Sequence, residues 1–293
     1  MIYDCFLFNN ELEILDIRLH ELDRVVDKFV LVESTMTHSC KPKPLHFNEN
    51  KQLFAKFKDK IIHIIVEDTP EVSMPWIVND YQFSQMKRGL IRCKPSDVVL
   101  FGDVDEIPRA EVVTEWKSRK GNLKVFEQKL SQYYLNLFDY ATGPWLGTRM
   151  TTYKHLTIYK STWIAKYSKV DLTIPDGGWH FSYMGGIRRI REKIMNMTHQ
   201  EYNNDSYNTQ EHILQAIYKK KDFLVNKYKF HIVSLSMLPH YVQENKDRFS
   251  EFLLQEDNLD NNYFLPFYFA IKKRLRLIAR GIRQVMRQKH HKK

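Results

Sequence analysis

The sequence predicts an α/β fold with a mainly parallel central sheet. Short apolar segments alternate with helical segments of ten or more residues in the first third of the chain, which is typical of parallel strands covered on both faces. Glu33 and Asp103 directly follow two of these apolar segments, as expected of ligand-binding groups at the carboxyl ends of parallel strands. A chain of 293 residues is long enough for one large domain of this kind.

Four strands and three helical segments are predicted before residue 108. The strands are the apolar runs at residues 2–8, 29–32, 61–66 and 98–101. The helical segments are residues 11–29, a Lys-rich stretch that ends at Lys58, and residues 79–93. In the first of them the apolar positions recur every three or four residues, as on a helix with one buried face: Leu12, Leu15, Leu19 and Leu22.

Beyond residue 108 the predicted strands are shorter and richer in aromatic and β-branched residues. We expect strands at residues 124–130, 133–137 and 155–159, and helices near residues 187–199 and 210–218. Residues 1–263 are interpreted as one domain, with a nucleotide-binding half at residues 1–108 and an acceptor-binding half at residues 109–263. Residues 264–293 form a separate C-terminal segment.

The positive charge of the chain is concentrated in that C-terminal segment. The net charge is +10, and residues 271–293 contain ten Lys and Arg and no acidic residue, which leaves 35 basic and 35 acidic residues in the rest. On a helix the apolar residues of this segment form one stripe: Ile271, Leu275, Ile278, Ile282 and Val285. We expect this basic amphipathic helix to bind an anionic membrane surface. The alternative is a stripe that packs on the domain.

Targeting signals are not apparent in the sequence. The N-terminus lacks the basic and apolar regions of a signal peptide, and no apolar run is long enough to span a bilayer. The three cysteines are few and far apart, which fits a reducing compartment. We therefore expect a cytoplasmic, peripherally membrane-associated protein. No nucleic-acid partner is expected, because no zinc finger, basic zipper or RNA-stacking motif is present.

The strongest local signal is the acidic sequence that follows the fourth predicted strand, Gly102-Asp-Val-Asp-Glu106. In an extended backbone, residues i and i+2 point the same way, so Asp103 and Asp105 are predicted to share one cation. Carboxylate oxygens suit Mn²⁺ or Mg²⁺, which would bridge to the diphosphate of a nucleotide-sugar donor. The alternative for the same residues is a solvated acidic turn.

A strand followed by Asp-x-Asp is also found in phosphatases of the haloacid dehalogenase type, where the first Asp is a nucleophile. That motif lies near the chain start and needs a later pair of adjacent aspartates, whereas Asp103 follows about a hundred residues and this sequence has no adjacent aspartates. The phosphatase remains an alternative function. A non-catalytic protein that binds an anionic surface or nucleic acid through its basic tail is another.

A second candidate site is the sequence Asp176-Gly-Gly-Trp-His180. The two glycines predict a turn with close backbone approach. Trp179 offers an indole face on which a donor sugar can stack, and His180 is a candidate third metal ligand or diphosphate contact. The structural alternative is a core histidine after a Gly-Gly turn.

A sugar transfer with inversion needs a general base, and three carboxylates are candidates. Glu106 lies beside the metal loop, but an extended chain directs it away from Asp103 and Asp105. Glu211 opens a predicted helix, where an acid is favourable in any case. Asp176 is preferred, because the glycine turn can bring it into the cleft. Four basic residues are candidate phosphate contacts: Lys41, Lys43, Arg149 and Arg188.

Five stretches of the chain resemble glycosyltransferase family 17, the β-1,4-mannosyl-glycoprotein N-acetylglucosaminyltransferase family, in order along residues 1–215. They are Phe8-Asn-Asn-Glu-Leu-Glu-Ile-Leu-Asp-Ile-Arg18, Val30-Leu-Val-Glu-Ser-Thr35, Lys41-Pro-Lys-Pro-Leu-His-Phe47, Gly102-Asp-Val-Asp-Glu-Ile-Pro108 and Gly177-Gly-Trp-His-Phe-Ser-Tyr183. Cys40 departs from the family pattern, in which a glycine is expected.

The resemblance implies a GT-A fold, a divalent cation and an inverting transfer of N-acetylglucosamine from UDP-GlcNAc. By position, it implies that Asp103 and Asp105 bind the metal and diphosphate, and that Glu33 contacts the nucleotide. The Golgi members carry a signal anchor, which this sequence does not show. A microbial-type member is therefore expected, with a glycan or glycolipid acceptor.

Overall fold

The computed structural model describes residues 1–225 and 227–255. Ten strands form one sheet in this part of the chain. Their bounds are β1 (Ile2–Phe8), β2 (Lys28–Ser34), β3 (Ile61–Val66), β4 (Val98–Asp103), β5 (Glu106–Pro108), β6 (Leu123–Gln132), β7 (Leu137–Asp139), β8 (Trp145–Thr152), β9 (Leu172–Ser182) and β10 (Phe230–Ile232).

Nine α-helices of the described residues connect and cover these strands. They are α1 (Leu12–Leu22), α2 (His46–Asn50), α3 (Pro75–Ser84), α4 (Ala110–Trp116), α5 (Tyr153–Leu156), α6 (Thr162–Tyr167), α7 (Gly186–Asn196), α8 (Gln210–Tyr218) and α9 (His240–Glu244). Five short 3₁₀ segments accompany them at Lys51–Phe57, Gln85–Leu90, Gln200–Tyr202, Leu235–Met237 and Ser250–Phe252.

The N-terminal strands pair in parallel in the order β3-β2-β1-β4. This is the order of one half of a Rossmann-like sheet, in which ligands bind beyond the carboxyl ends of the strands. Past β4 the sheet continues with β8, β6, β7 and β10 in antiparallel pairs, and β9 runs parallel to β6. The prediction of an α/β fold with a mainly parallel central sheet is confirmed.

Strand β1 is buried on both faces, which explains its unbroken apolar sequence. Ile2, Phe6 and Phe8 pack with the apolar side of α1, and Tyr3, Cys5 and Leu7 pack in the core on the other face. Asp4 lies in the first of these rows and is fully buried. A buried carboxylate needs a partner, and α1 supplies Arg18.

Several local predictions were wrong. Of the strand predicted at residues 133–137, only Leu137 lies in a strand, because residues 133–136 form the turn between β6 and β7. Residues 155–159 are not a strand, because Thr152 caps α5 by accepting a hydrogen bond from the backbone N–H of His155. The helix predicted at residues 11–29 ends at Leu22, and residues 28–34 belong to β2. Gly177 and Gly178 lie inside β9 rather than in a turn.

Gly178 is required by close packing between two strands. Its φ is +134°, and a Cβ there would lie 2.1 Å from the carbonyl oxygen of Ile107 in β5. The Gly-Gly pair therefore lets β9 approach β5. The basic segment 271–293 lies outside the described residues, so its helix stays a prediction. No helix in the described ranges is both long enough and apolar enough to cross a membrane.

Candidate active site

A cleft of about 290 Å³ opens at the carboxyl ends of β1, β2 and β4. The loop after β1 contributes Asn9 and Glu11, and the loop after β2 contributes Thr37 and His38. Asp103, Asp105 and Glu106 all line it, together with side chains from α3, α6 and α7. The acidic loop therefore lies where the parallel topology predicts a ligand site.

The acidic loop is a tight turn between β4 and β5 and is not extended as predicted. Glu106 folds back, so that its Oε2 accepts a hydrogen bond from the backbone N–H of Asp103 at 3.1 Å. Gly102 makes room for this carboxylate, because a Cβ at that position would lie 2.6 Å from Glu106 Oε2. The prediction that Glu106 points away from Asp103 was wrong for this reason.

The backbone of the turn is held by buried donors. Arg18 Nη1 donates to the carbonyl oxygens of Asp103, Val104 and Glu106 at 3.0, 3.3 and 2.7 Å. The N–H of Phe181 in β9 donates to the carbonyl of Asp105 at 2.9 Å. Since all four carbonyl groups from 103 to 106 have a partner, the carboxylates are presented on a preorganised loop.

Two lysines from the second half of the chain bind these carboxylates. Lys166 Nζ on α6 contacts Asp103 Oδ2 at 2.5 Å and Glu106 Oε2 at 2.7 Å. Lys193 Nζ on α7 contacts Asp105 Oδ2 at 2.7 Å and Glu11 at 3.7 Å. The Lys166 side chain is only 4% exposed, whereas that of Lys193 is 27% exposed and lines the cleft.

Burial and the ion pairs shift the pKa values of the cluster in different directions. The pKa of Asp103 is raised, because burial and the nearby charges of Glu106 and Asp105 outweigh the attraction of Lys166. Burial alone would raise the pKa of Asp105, but Lys193 and His180 hold that pKa well below its usual range. Burial alone would likewise lower the pKa of Lys193, which Asp105 and Glu11 raise instead. The pKa of Glu106 is also lowered, because Lys166 outweighs the effect of burial. Asp105 and Glu106 are therefore anionic at neutral pH, and Lys193 is cationic.

Asp103 and Asp105 are the predicted metal ligands, and both line the described cleft. Among the described residues no group of three or more His, Cys, Asp or Glu is placed to hold a metal ion. Mg²⁺ sites for phosphate substrates commonly use one or two carboxylates and complete the shell with phosphate oxygens and water. Asp103 and Asp105 are two such carboxylates, but each is also bound by a different lysine, so their role as metal ligands stays a prediction. His180 lies with Nε2 3.6 Å from Asp105 Oδ1, and its buried Nδ1 has no hydrogen-bond partner within the described structure.

Glu33 is fully buried at the end of β2 and binds protein groups. Its Oε1 accepts from the N–H of Phe47 at 2.7 Å and its Oε2 from that of Asn48 at 3.2 Å, so it fixes the start of α2. His63 lies 3.1 Å from the same carboxylate. The structure places Glu33 behind the cleft rather than on its lining.

The structure does not bring Trp179, Asp176 or Glu211 to the lining of the cleft in the described part of the chain. Trp179 is buried, its Nε1 donates to the carbonyl of Met237 at 2.8 Å, and Arg109 covers its ring. Asp176 is exposed and paired with Arg109 and Lys129. Glu211 lies in the first turn of α8.

Of the four candidate phosphate contacts, Lys43 alone lines the described cleft. Lys41 and Arg188 are exposed, and Arg149 is buried and donates to the carbonyls of Leu146 and Gly147. Sequence reasoning missed Lys166 and Lys193, and it missed the aromatic residues of the cleft. Isolated lysines and aromatics carry no motif, and only tertiary packing brings them to the site.

Comparisons with known proteins identify a family and several relatives. A profile of glycosyltransferase family 17 matches residues 1–266. The beta-1,4-mannosyl-glycoprotein 4-beta-N-acetylglucosaminyltransferases of Homo sapiens and Rattus norvegicus are each 34% identical over 113 residues, which is 36% of this chain. The matched segment covers 21% of the length of those curated relatives. Among solved structures, inositol-1-phosphate CTP transferase from T. maritima aligns with 86% of this chain and 98% of its own, at 9% identity and a TM-score of 0.37.

Proposed function

Because the chain belongs to glycosyltransferase family 17, we propose that it transfers N-acetylglucosamine from UDP-GlcNAc, with inversion, to a hydroxyl of a glycan or lipid-linked saccharide. One observation carries the proposal. The Asp103–Glu106 turn lines a cleft at the carboxyl ends of a Rossmann-like sheet, with a partly exposed cation, Lys193, beside it. Anionic and cationic groups at such a crevice suit a metal-bound diphosphate.

Asp103 and Asp105 would hold Mn²⁺ or Mg²⁺ on the diphosphate of the donor, and the cation would neutralise charge on the departing UDP. The surrounding residues of this chain prepare the site. The buried Lys166 holds the Asp103 carboxylate by an ion pair, and Arg18 holds the backbone of the turn by hydrogen bonds. Lys193 adds a positive charge that faces the cleft and can pair with a phosphate oxygen.

Of the three candidate bases, Glu106 is the one that lines the described cleft, so we propose Glu106 rather than Asp176. Inversion requires the acceptor hydroxyl to lose its proton as the oxygen attacks the anomeric carbon, and the Glu106 carboxylate would take that proton. Its contacts with Lys166 and with Trp145 Nε1, at 2.9 Å, keep it ionised. A lowered pKa makes it a weak base, so its contribution belongs at the low end of about 10²–10⁴-fold.

The proposed function is tested by thermal-shift titration of the full chain with UDP-GlcNAc, UDP-glucose and GDP-mannose, each with and without Mn²⁺. We expect UDP-GlcNAc to stabilise the protein most, and only with Mn²⁺. At a concentration 100 times Kd, the ligand should add about 2.7 kcal/mol to the free energy of unfolding. Stabilisation by none of the nucleotide sugars would contradict the proposal. A second assay follows release of UDP when a glycan acceptor is added.

A further inference from the structure

Three aromatic side chains form a continuous surface along one side of the cleft. The ring centroids of Trp76 on α3 and Trp163 on α6 are 5.9 Å apart, and those of Trp163 and Tyr167 are 4.4 Å apart. The buried Phe83 packs edge-on against Trp163 at 5.6 Å, which fixes the middle of the surface. Tyr167 nevertheless remains 63% exposed. Exposed aromatic side chains that line a cleft belong to a ligand-binding surface more often than to the packed core.

Helix α6 places this surface beside the reacting groups. Tyr167 directly follows Lys166, whose ammonium binds Asp103 and Glu106, so the same ion pairs that hold the carboxylates also hold the helix. The loops after β1 and β2 contribute polar residues instead, among them Asn9 and Thr37. In a Rossmann-like sheet those loops form the nucleotide side of the crevice. The α6 side is therefore left for the second substrate.

We propose that Trp163 and Tyr167 bind the acceptor saccharide by stacking on the apolar C–H face of a pyranose ring. This inference rests on the proposed glycosyl transfer and adds where the acceptor lies. A pyranose suits the surface because its C–H face is apolar and its hydroxyl groups project from the ring edge. A pyranose stacked on α6 would lie near Glu106, the proposed base, because Lys166 of the same helix binds that carboxylate at 2.7 Å. Trp76, whose ring centroid lies 5.9 Å from that of Trp163, adds a third ring to the surface.

The experiment compares four proteins: wild type, Tyr167→Ala, Tyr167→Phe and Tyr140→Ala. Tyr140 is the matched control, because it is 61% exposed and also contacts another ring, yet it is not among the described residues that line the cleft. The acceptor probes are p-nitrophenyl pyranosides of mannose, galactose, glucose and N-acetylglucosamine. The acceptor KM is measured at saturating UDP-GlcNAc, and the Kd for UDP is measured with Mn²⁺.

We expect Tyr167→Ala to raise the acceptor KM about 2- to 12-fold, the equivalent of one lost aromatic contact, while the Kd for UDP stays unchanged. Tyr167→Phe should restore the acceptor KM, and Tyr140→Ala should leave both constants unchanged. An unchanged KM in Tyr167→Ala, or an equal rise in Tyr140→Ala, overturns the inference.

Weaker UDP binding by Tyr167→Ala would also overturn the inference, because the rings would then hold the nucleobase. The inference is also overturned if wild type binds UDP-GlcNAc but uses none of the pyranosides as an acceptor. If wild type does not bind UDP-GlcNAc at all, the proposed function itself fails, and the two failures are thus distinguishable.

Discussion

Arg18 joins a buried ion pair to the acidic turn, so its removal should lower both stability and activity. Its guanidinium is fully buried, binds both oxygens of Asp4 at 2.8 and 2.6 Å, and lies 4.6 Å from the centre of the Phe6 ring. The third nitrogen binds the acidic turn. Arg18→Met therefore leaves Asp4 without its partner in the core, which costs about 3–5 kcal/mol of unfolding free energy.

Adding Asp4→Leu should recover part of that loss. Replacing a buried ion pair by apolar residues of similar size is often neutral, but three carbonyl oxygens of the turn still lack their donor. A buried polar group left without a partner costs about 1–3 kcal/mol, so we expect a net loss of that order for the double variant. Urea unfolding, followed by tryptophan fluorescence, measures the free energy of unfolding of wild type, Arg18→Met and the double variant. Asp4→Leu alone completes the double-mutant cycle.

Activity should not recover with stability. Without the guanidinium the turn that carries Asp103 and Asp105 relaxes, and a displacement of about 1 Å can cost on the order of 10²-fold in rate. We expect both Arg18→Met and the double variant to lose UDP-GlcNAc affinity in the presence of Mn²⁺ and to lose turnover. Full transfer activity in the double variant would refute the positioning role. Equal destabilisation of the single and double variants would refute the ion-pair argument.

The remaining predictions concern the metal, the base and the C-terminal segment. Asp105→Asn removes a charge without changing volume, so turnover should be abolished and the Mn²⁺ requirement should rise in a Mn²⁺ titration; near-normal transfer at low Mn²⁺ would contradict the metal site. Glu106→Gln should lower turnover about 10²-fold, while the exposed Asp176→Asn should change it less than about 2-fold; steady-state kinetics showing the reverse would restore Asp176 as the base. Full-length protein should co-sediment with anionic vesicles at low salt, whereas a chain ending at residue 270 should not; equal sedimentation would exclude residues 271–293 as the membrane contact.

Strands and helices whose bounds depend on a single sequence pattern were predicted well. The bounds of β1, β3 and α8 match the predictions, because an unbroken apolar run or a clear helical period determines each of them. The Asp103–Glu106 loop was placed correctly at the end of β4 for a similar reason, because the apolar run of that strand stops where the acidic residues begin. The conformation of that loop was not predictable, since Arg18 and Gly102 determine it from outside the motif.

The choice of Trp179 shows where sequence reasoning has too little information. Its neighbours, two glycines and a histidine, suggested a flexible sugar-binding turn, yet the glycines serve strand packing and the indole is buried. Trp163 and Tyr167 have unremarkable neighbours in the sequence and nevertheless line the cleft. Whether an aromatic ring is a core residue or a binding surface depends on what covers it, which is a property of the tertiary structure.

The place of β8 between β4 and β6 has a consequence for anyone who seeks to re-engineer this chain. Residues 1–108 cannot serve as an interchangeable donor module, since cutting the chain there would strip β4 of its neighbour and expose a long apolar edge that invites aggregation. Exchanging whole halves between relatives would pair the β4 of one protein with the β8 of another, so the side chains and register of that strand pair would have to match. New acceptor preferences are better sought by grafting short surface segments around α6, which leaves the ladder between β4 and β8 intact.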